Sequence, residues 1–279
     1  MIVNADSAQL YRDLPILSAA PSSDDRARAE HRLYGELDGA DACSAAEWAG
    51  LARRVIEEVH AHDKTVVLVG GTGLYLRSLI NGIAPIPAID DEVRADVRAS
   101  DVAANHARLT ERDPAAAARL NPADSLRVAR ALEVVMSTGR TLADWQDRRE
   151  GGIGNSVDLR PIILRPPRDW LYARCDQRFA AMMESGAVEE VQALLRRNLD
   201  PKLPAMRAIG VREIAAFLNG SIGRDEAIAR GQQATRNYAK RQYTWFAHQP
   251  PADWPRFTEI TFPVRAELVE ALSFVQSPK

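Results

Sequence analysis

The sequence predicts an α/β fold in which a parallel sheet is interrupted by a mostly helical insertion. Ile2 and Val3 have the apolar character of a buried strand, and a second β-branched, apolar run covers residues 65–69. A helix is predicted before that run and another after it, an alternation typical of parallel sheets. From residue 85 to 154 the strand pattern is absent and helical spacing predominates.

Capping residues and spacing bound the individual elements. The first long helix covers residues 44–60, because Ser44 and Glu47 have the three-residue separation of a capping box. Further helices are predicted over residues 74–80, 91–100, 103–112 and 125–137, with Gly139 ending the last. A strand over 160–164 precedes helices over 170–185 (ended by Gly186), 187–198, 212–218 and 225–246. Residues 257–262 alternate in polarity and predict an edge strand or an irregular tail.

Composition excludes several classes of protein. With 279 residues, 46% of them hydrophobic, the chain can bury the core of one large domain or of a domain with an insertion. Only Cys43 and Cys175 carry thiols, so we expect neither a disulfide framework nor a zinc cluster. No apolar stretch reaches the roughly 18 residues of a membrane helix, and no cleavable signal is present. We therefore expect a cytoplasmic protein that does not bind membranes.

Asp6 is the first candidate for chemistry. Asp6 and Ser7 follow the strand at residues 2–3, at the carboxyl edge where open α/β sheets bind their ligands. One interpretation is a carboxylate that acts on a substrate. The other is a turn or helix cap, which is the commoner role of an Asp-Ser pair.

A glycine-rich turn is the second candidate. Residues 70–73 read Gly-Gly-Thr-Gly between a strand and a helix. Backbone N–H groups at such a helix start suit an anion, but a plain tight turn explains the same letters equally well.

Basic residues on shared helix faces are the third candidate. Arg127 and Arg130 lie three residues apart, and Arg236, Lys240 and Arg241 lie within five residues of one another. Each set fits phosphate, although an ordinary solvated face is the alternative. Because the net charge is −2, any RNA site must be a local basic patch.

Five phrases in order resemble tRNA dimethylallyltransferases. Residues 4–12 (NADSAQLYR) resemble the segment that carries the catalytic aspartate of that family, and residues 68–75 (LVGGTGLY) resemble its glycine turn. The other phrases are 127–134 (RVARALEV), 208–213 (AIGVRE) and 235–246 (TRNYAKRQYTWF). Val211 stands where the family usually has Tyr, which removes only a local aromatic contact. The matches span most of the chain, and as an ordered set they are highly specific.

The resemblance implies a P-loop NTPase-like parallel sheet core over residues 1–84 and 158–249. It also implies a helical insertion over 85–157 that grips the anticodon stem-loop, and a C-terminal tail over 250–279. One departure is large. The family begins with a strand and a phosphate-binding loop, whereas no G-x-x-x-x-G-K-[ST] occurs in these residues. We therefore expect the first strand, the P-loop and the first helix to be absent, through an internal start or a truncated gene, and transfer to be impaired.

The implied activity is prenyl transfer from dimethylallyl diphosphate to the exocyclic amine of adenosine 37 in tRNA, with Mg²⁺ as cofactor. By resemblance Asp6 is the general base, Thr72 is a second catalytic residue, and Lys240 and Arg241 hold the diphosphate. We expect a monomer. The residues implied to contact tRNA are Asp6, Ser7, Ala8, Gln9, Thr72, Arg94, Leu126, Arg127, Val128, Ala129, Arg130, Arg207, Arg212, Lys240 and Arg241.

Three alternatives remain open at this point. A P-loop nucleotide kinase shares the α/β core, but it gives no reason for the phrases at 4–12 and 235–246. An adenylate isopentenyltransferase shares the chemistry, but it has no need of the long helical insertion. A catalytically dead RNA-binding remnant fits the missing phosphate loop.

Overall fold

The computed structural model describes residues 1–259, which form two compact units. Within the described chain, unit 1 contains residues 1–76 and 158–259, and unit 2 contains residues 77–157. In the described part no helix has both the length and the apolar character needed to cross a membrane. Cys43 is half-buried and Cys175 is buried, and both are free thiols.

The main sheet of unit 1 is parallel and has the strand order β2-β1-β3. Its strands are β1 (Ile2–Asn4), β2 (His31–Arg32) and β3 (Val67–Val69). In the central strand Val3 is fully buried and is paired with Arg32 on one side and Leu68 on the other. The predictions of β1 and β3 and of a parallel sheet are confirmed.

A second, two-stranded sheet joins β4 (Ile163–Leu164) to β5 (Arg256–Phe257). The strand predicted over 160–164 is therefore too long: Pro161 has no N–H to donate to a ladder, and pairing begins only at Ile163. The predicted strand over 257–262 is represented by Phe257, and its residues from 260 onward lie outside the described part of the chain.

Helices make up most of both units. In chain order they are α1 (Ser23–Arg28), α2 (Ala45–His60), α3 (Gly73–Asn81), α4 (Asp91–Ala99), α5 (Val102–Arg112), α6 (Pro114–Arg119), α7 (Ser125–Thr138), α8 (Leu142–Gln146), α9 (Arg168–Glu184), α10 (Ala187–Arg196), α11 (Val211–Leu218) and α12 (Arg224–His248). A 3₁₀ turn covers Ala205–Arg207. At the start of α2 the Ser44 hydroxyl accepts the Glu47 N–H at 3.2 Å, so the predicted capping box is confirmed. Gly139 ends α7 in a left-handed conformation, as predicted.

Unit 2 has a helical core of its own. Buried side chains of α4, α5, α6 and α7 form one apolar cluster that includes Val97, Leu109, Val128 and Leu132. One isolated antiparallel β-bridge pairs Ile83 with Glu150 in this unit. Between residues 85 and 149 the unit is built from helices and loops, as the spacing predicts.

Close packing in unit 1 fixes the end of β1. Trp48 of α2 is fully buried, donates its indole N–H to the Asn4 carbonyl at 3.0 Å, and stacks on Tyr75 with ring centroids 4.5 Å apart. Farther away, α9 packs against α12 where Gly231 faces Phe179. These contacts hold the strand end and α12 around one cavity.

Candidate active site

A cavity of about 330 Å³ lies against the residues that directly follow β1. Its lining brings together residues from several separate parts of unit 1. They include Asp6, Ser7, Ala8, Arg178 of α9, Arg207 of the 3₁₀ turn, and Tyr238 and Arg241 of α12. The strand end predicted to bind a ligand thus forms one wall of a cavity.

Asn4 sets the backbone geometry of Asp6. The Asn4 side chain is buried; its Oδ1 accepts the Asp6 N–H at 2.7 Å, and its Nδ2 donates to the Asp6 carbonyl at 2.9 Å. The same Nδ2 donates to the Leu33 carbonyl at 2.9 Å, which ties this turn to the chain beyond β2. The turn after β1 is therefore held on both its N–H and its carbonyl side.

The Asp6 carboxyl group has a pKa above its ordinary value. Burial is the main cause, since it disfavours the charged form. The N–H groups of Ala8 and Gln9 and the charge of Arg178 act in the opposite direction and lower the pKa. The Ala8 N–H lies 2.8 Å from Oδ1. A carboxylate that is short of solvent but still held by donors is suited to accept a proton.

Thr72 links the glycine turn to Ser7 and Tyr238, two residues that line the cavity. Its Oγ1 accepts the Ser7 N–H at 3.0 Å and shares a hydrogen bond with the Tyr238 hydroxyl. Burial, together with the nearby charge of Asp6, raises the pKa of Tyr238, so this phenol stays protonated. The structure thus joins Thr72 to Ser7 and Tyr238 by hydrogen bonds, and the charge of Asp6 acts on the same Tyr238.

The glycines of the turn are required by close packing. A Cβ on Gly70 would lie 2.2 Å from the Ala5 carbonyl carbon, and a Cβ on Gly71 would lie 2.0 Å from Nε2 of Gln242. That Nε2 donates to the Gly71 carbonyl at 3.0 Å, while the Thr72 N–H is donated to the Ala5 carbonyl at 3.2 Å. The geometry therefore favours the tight-turn interpretation over an anion site.

The predicted basic face of α12 is divided among three environments. Arg241 lines the cavity, with its guanidinium 5.4 Å from the centre of the Tyr238 ring. Arg236 pairs with Asp176 of α9, and Lys240 is exposed to solvent and is not part of the cavity lining. Only the first of these three predicted cations reaches the cavity.

The other residues of unit 1 that are predicted to contact tRNA also lie in different environments. Arg207 lines the cavity, whereas Arg212 at the start of α11 is exposed outside the lining. Gln9 holds a neighbouring loop, since its Nε2 donates to the carbonyls of Ser18 and Ala19, each at 2.9 Å. Its contact with tRNA stays a prediction.

In unit 2 the arginines gather around a buried carboxylate. Glu133 of α7 is fully buried and accepts Nε of Arg98 at 2.5 Å. The charges of Arg94 and Arg98 reach Arg130, whose pKa is lowered chiefly by burial. Arg98 thus pairs with Glu133 directly, the charge of Glu133 also acts on Arg130, and two guanidinium groups around one carboxylate leave an excess of positive charge.

The phrase 127–134 lies on α7 with only part of it exposed. Arg127 and Leu126 are exposed, as a contact with RNA requires. Val128 and Ala129 are buried in the core of unit 2, because α7 turns this face towards α4 and α5. Their prediction as tRNA contacts is wrong for the side chains.

Two site residues were missed by sequence reasoning. The role of Asn4 could have been predicted from the sequence, because Asn and Asp in turns commonly form hydrogen bonds to the backbone two residues further on. No sequence pattern indicates Arg178, because only the packing of α9 brings its charge close to Asp6.

Together these features define an enzyme: a cavity contains a partly buried carboxylate of raised pKa, flanked by cationic side chains that suit an anionic substrate. The family model described as IPP transferase matches residues 9–249. The chain therefore belongs to the IPP transferase family, whose members transfer a prenyl group from a diphosphate.

Relatives support this assignment over nearly the whole chain. The tRNA dimethylallyltransferase of Sphingopyxis alaskensis is 61% identical over 258 residues, which are 92% of this chain and 84% of that protein. The tRNA dimethylallyltransferase of Novosphingobium aromaticivorans is 60% identical over 256 residues, covering 92% and 91% respectively.

Solved structures have the same fold. The full-length tRNA isopentenylpyrophosphate transferase of Bacillus halodurans is 31% identical and superposes with a TM-score of 0.67 over 98% of this chain and 86% of that one. A eukaryotic dimethylallyltransferase acting on tRNA is 24% identical, with a TM-score of 0.74 over 88% and 63% of the two chains. This second likeness concerns the fold alone.

Proposed function

We propose that this chain transfers a dimethylallyl group from dimethylallyl diphosphate to the exocyclic amine of adenosine 37 in tRNA. The observation that carries the proposal is the Asp6 carboxylate, partly buried after the end of β1 in a cavity with Arg178, Arg207 and Arg241. The names of the relatives supply tRNA and the dimethylallyl group. The sequence resemblance supplies the diphosphate donor and adenosine 37, and the cavity supplies groups that suit both reacting partners.

Asp6 acts as the general base. An aromatic amine is a poor nucleophile, so its proton must be accepted as the new bond forms. The amine nitrogen forms a bond to the allylic carbon, the carbon–oxygen bond to diphosphate breaks, and its electron pair leaves with the diphosphate. The amine proton passes to the Asp6 carboxylate, whose raised pKa makes it a better acceptor than a solvated aspartate.

The arginines of the cavity stabilise negative charge on the departing diphosphate. Arg241 and Arg207 line the cavity and supply cations where charge develops, and Arg178 adds a third cation. Lys240 remains a proposal from resemblance alone, because it lies outside the cavity lining. Thr72 serves by orienting Ser7 and Tyr238 around the amine.

Unit 2 is proposed to bind the anticodon stem-loop through exposed groups. Arg94 and Arg127 present solvent-accessible guanidinium groups for phosphate, and Arg130 adds charge behind them. Leu126 is exposed beside Arg127 and offers an apolar contact. Arg212 of unit 1 is also free to contact RNA.

Magnesium is proposed to accompany the diphosphate. Among the described residues no three His, Cys, Asp or Glu side chains converge to hold a metal ion, and the cavity is lined by arginines. These side chains do not fit a protein-held cation. Mg²⁺ commonly binds mainly through substrate phosphates and water, and none of the steps above depends on it. The cytoplasmic location and the monomeric state stay predictions.

The proposal is tested with isotope-labelled dimethylallyl diphosphate and unmodified tRNA under single-turnover conditions. We expect label in the tRNA at adenosine 37, and none when that position is guanosine. Binding of an anticodon stem-loop is measured on the same sample.

The outcomes separate the alternative functions. Stem-loop binding without any transfer would favour the catalytically dead RNA-binding remnant. Transfer to free adenosine nucleotide in preference to tRNA would favour an adenylate isopentenyltransferase. A folded sample that neither binds the stem-loop nor transfers label would contradict the proposed function altogether.

A further inference from the structure

Tyr238 of α12 lines the cavity, yet the reaction above gives its aromatic ring no function. The side chain is half-buried, and the charges of both Asp6 and Arg241 act on its phenol group. Asp6 is the proposed general base, and Arg241 is one of the cations proposed for the departing diphosphate. Tyr238 is therefore close to both groups that the reaction uses.

The Tyr238 ring contacts the guanidinium of Arg241. The guanidinium carbon lies 5.4 Å from the centre of the ring, a separation at which an aromatic ring attracts a cation. Residues three positions apart lie on the same face of a helix, and here both side chains reach the cavity. The contact therefore holds a cation that belongs to the site.

Arg241 has no carboxylate to hold it in place. Within residues 1–259 it forms no ion pair, whereas Arg236 on the same helix pairs with Asp176. Arg241 is also exposed, and a long exposed side chain loses conformational freedom when it binds a ligand, which weakens the binding. The Tyr238 ring is the contact that limits where this guanidinium can lie before a ligand arrives.

Hydrogen bonds fix the ring itself. The Tyr238 hydroxyl forms hydrogen bonds with Thr72 and Gln242. Nε2 of Gln242 also donates to the Gly71 carbonyl at 3.0 Å, and Oγ1 of Thr72 accepts the Ser7 N–H at 3.0 Å. Both partners of the phenol are thus tied to the glycine turn or to the residues after β1. The orientation of the ring is set by groups that are independent of Arg241.

A second tyrosine of α12 provides a matched comparison. The guanidinium carbons of Arg165 and Arg168 lie 4.6 and 4.8 Å from the centre of the Tyr243 ring. None of these three residues is part of the cavity lining. Tyr243 therefore has the same kind of contact on the same helix, but away from the site.

We propose that Tyr238 is a positioning residue for the leaving group: its ring holds the Arg241 guanidinium in the cavity, where that guanidinium binds the diphosphate of the donor. This inference rests on the proposed function, which assigns the diphosphate to the arginines of the cavity. Tyr238 acts through Arg241 and does not itself bind the diphosphate. A cation that is in place before the bond breaks stabilises the developing negative charge with little reorganisation.

The test measures the affinity for inorganic diphosphate by calorimetry. Tyr238→Leu removes the ring and should weaken binding by about two- to fivefold, the range of a cation–π contact at an exposed site. Tyr238→Phe keeps the ring, and its affinity should lie within about twofold of that of wild type. Tyr243→Leu is the control and should leave the affinity unchanged.

A double variant determines whether Tyr238 acts through the arginine. Arg241→Ala should weaken diphosphate binding, and adding Tyr238→Leu to it should cause no further loss, because the group that the ring positions is already gone. A general loss of packing would weaken binding equally with and without Arg241. The comparison is made at a temperature where every variant is fully folded, so a lower melting temperature of Tyr238→Leu does not affect it.

The failures are distinguishable. If wild type does not bind diphosphate, or if Arg241→Ala binds it equally well, the proposed diphosphate site fails and this inference fails with it. If Arg241→Ala weakens binding and Tyr238→Leu does not, only the role of Tyr238 is refuted. That role is also refuted if Tyr238→Leu causes the same loss without Arg241, or if Tyr238→Phe weakens binding as much as Tyr238→Leu.

Discussion

At the residue scale, the same burial that prepares Asp6 for chemistry makes it unfavourable for folding. The unfolded chain exposes this carboxyl to water, where its pKa has the ordinary value, whereas the folded chain raises that pKa. Above both pKa values the ionised group is therefore less favourable in the folded state than in the unfolded one. Asn4, which braces the turn from both sides, compensates for part of this cost.

Asp6→Asn should stabilise the chain and slow the reaction. The amide keeps an oxygen that accepts the Ala8 N–H, and it carries no charge to be buried. We expect the free energy of unfolding at neutral pH to rise by about 0.5–2 kcal/mol, the usual range for relieving a functional-site compromise. Transfer should fall by about 10²–10⁴ because the amide cannot accept the proton. Urea unfolding and single-turnover transfer measure the two effects; a destabilised variant with normal rates would contradict both.

The pH dependence of transfer should show a shifted acid limb. Asp6 must be ionised to accept the amine proton, so the rate rises as pH increases through the folded-state pKa, which lies above 3.8. The stability contributed by this group changes in the opposite direction: it is greatest below the unfolded pKa and declines as pH rises through the folded one. Rates measured from pH 4 upward, with the fraction folded followed by circular dichroism, check this. An acid limb at the ordinary aspartate pKa would remove Asp6 from the role of base.

At the element scale, the sequence predicts the elements whose signals are local, such as helix caps and hydrophobic spacing. Helix α2 could be predicted from its capping box, and α7 from its spacing and its Gly139 end. Strand β2 has two residues, His31 and Arg32, and α8 has five, which is too short for any period to be recognised. The packing of the glycine turn against α12, and the bond from Glu190 to the 15–20 loop, join residues more than 170 positions apart. Nothing local encodes them.

Two helical glycines provide a matched test of packing. Gly50 in α2 has open space where a Cβ would lie, whereas a Cβ on Gly231 in α12 would lie 2.0 Å from the Phe179 ring. Gly50→Ala should raise the free energy of unfolding by about 0.5–1 kcal/mol, because alanine loses less backbone entropy in a helix. Gly231→Ala should lower it by about 1–3 kcal/mol through overpacking between α9 and α12. Thermal and urea unfolding of both variants decide this, and equal effects would show that the helix packing described is wrong.

At the scale of the whole molecule, the net charge is small and positive charge is confined to a few local clusters. The net charge is −2, so no overall positive potential draws RNA to the chain. Positive charge is concentrated locally instead, in the cavity of unit 1 and around Glu133 in unit 2. Such a protein depends on a few phosphate contacts, and its affinity for RNA should therefore respond strongly to the loss of particular arginines.

Replacing Arg94 and Arg127 together by alanine should weaken anticodon stem-loop binding and flatten its salt dependence. The two side chains are 51% and 77% exposed, and each forms an ion pair with the aspartate three residues before it. Surface pairs of this kind contribute little stability, so the fold should be unaffected. If both arginines neutralise phosphates, the slope of log affinity against log salt should fall in magnitude by about 1–2. The control is Arg28 and Arg54 replaced by alanine, which changes the net charge equally from exposed positions in unit 1. Binding measured at several salt concentrations should separate the pairs, because equal losses would mean that only net charge matters and that unit 2 has no specific RNA surface.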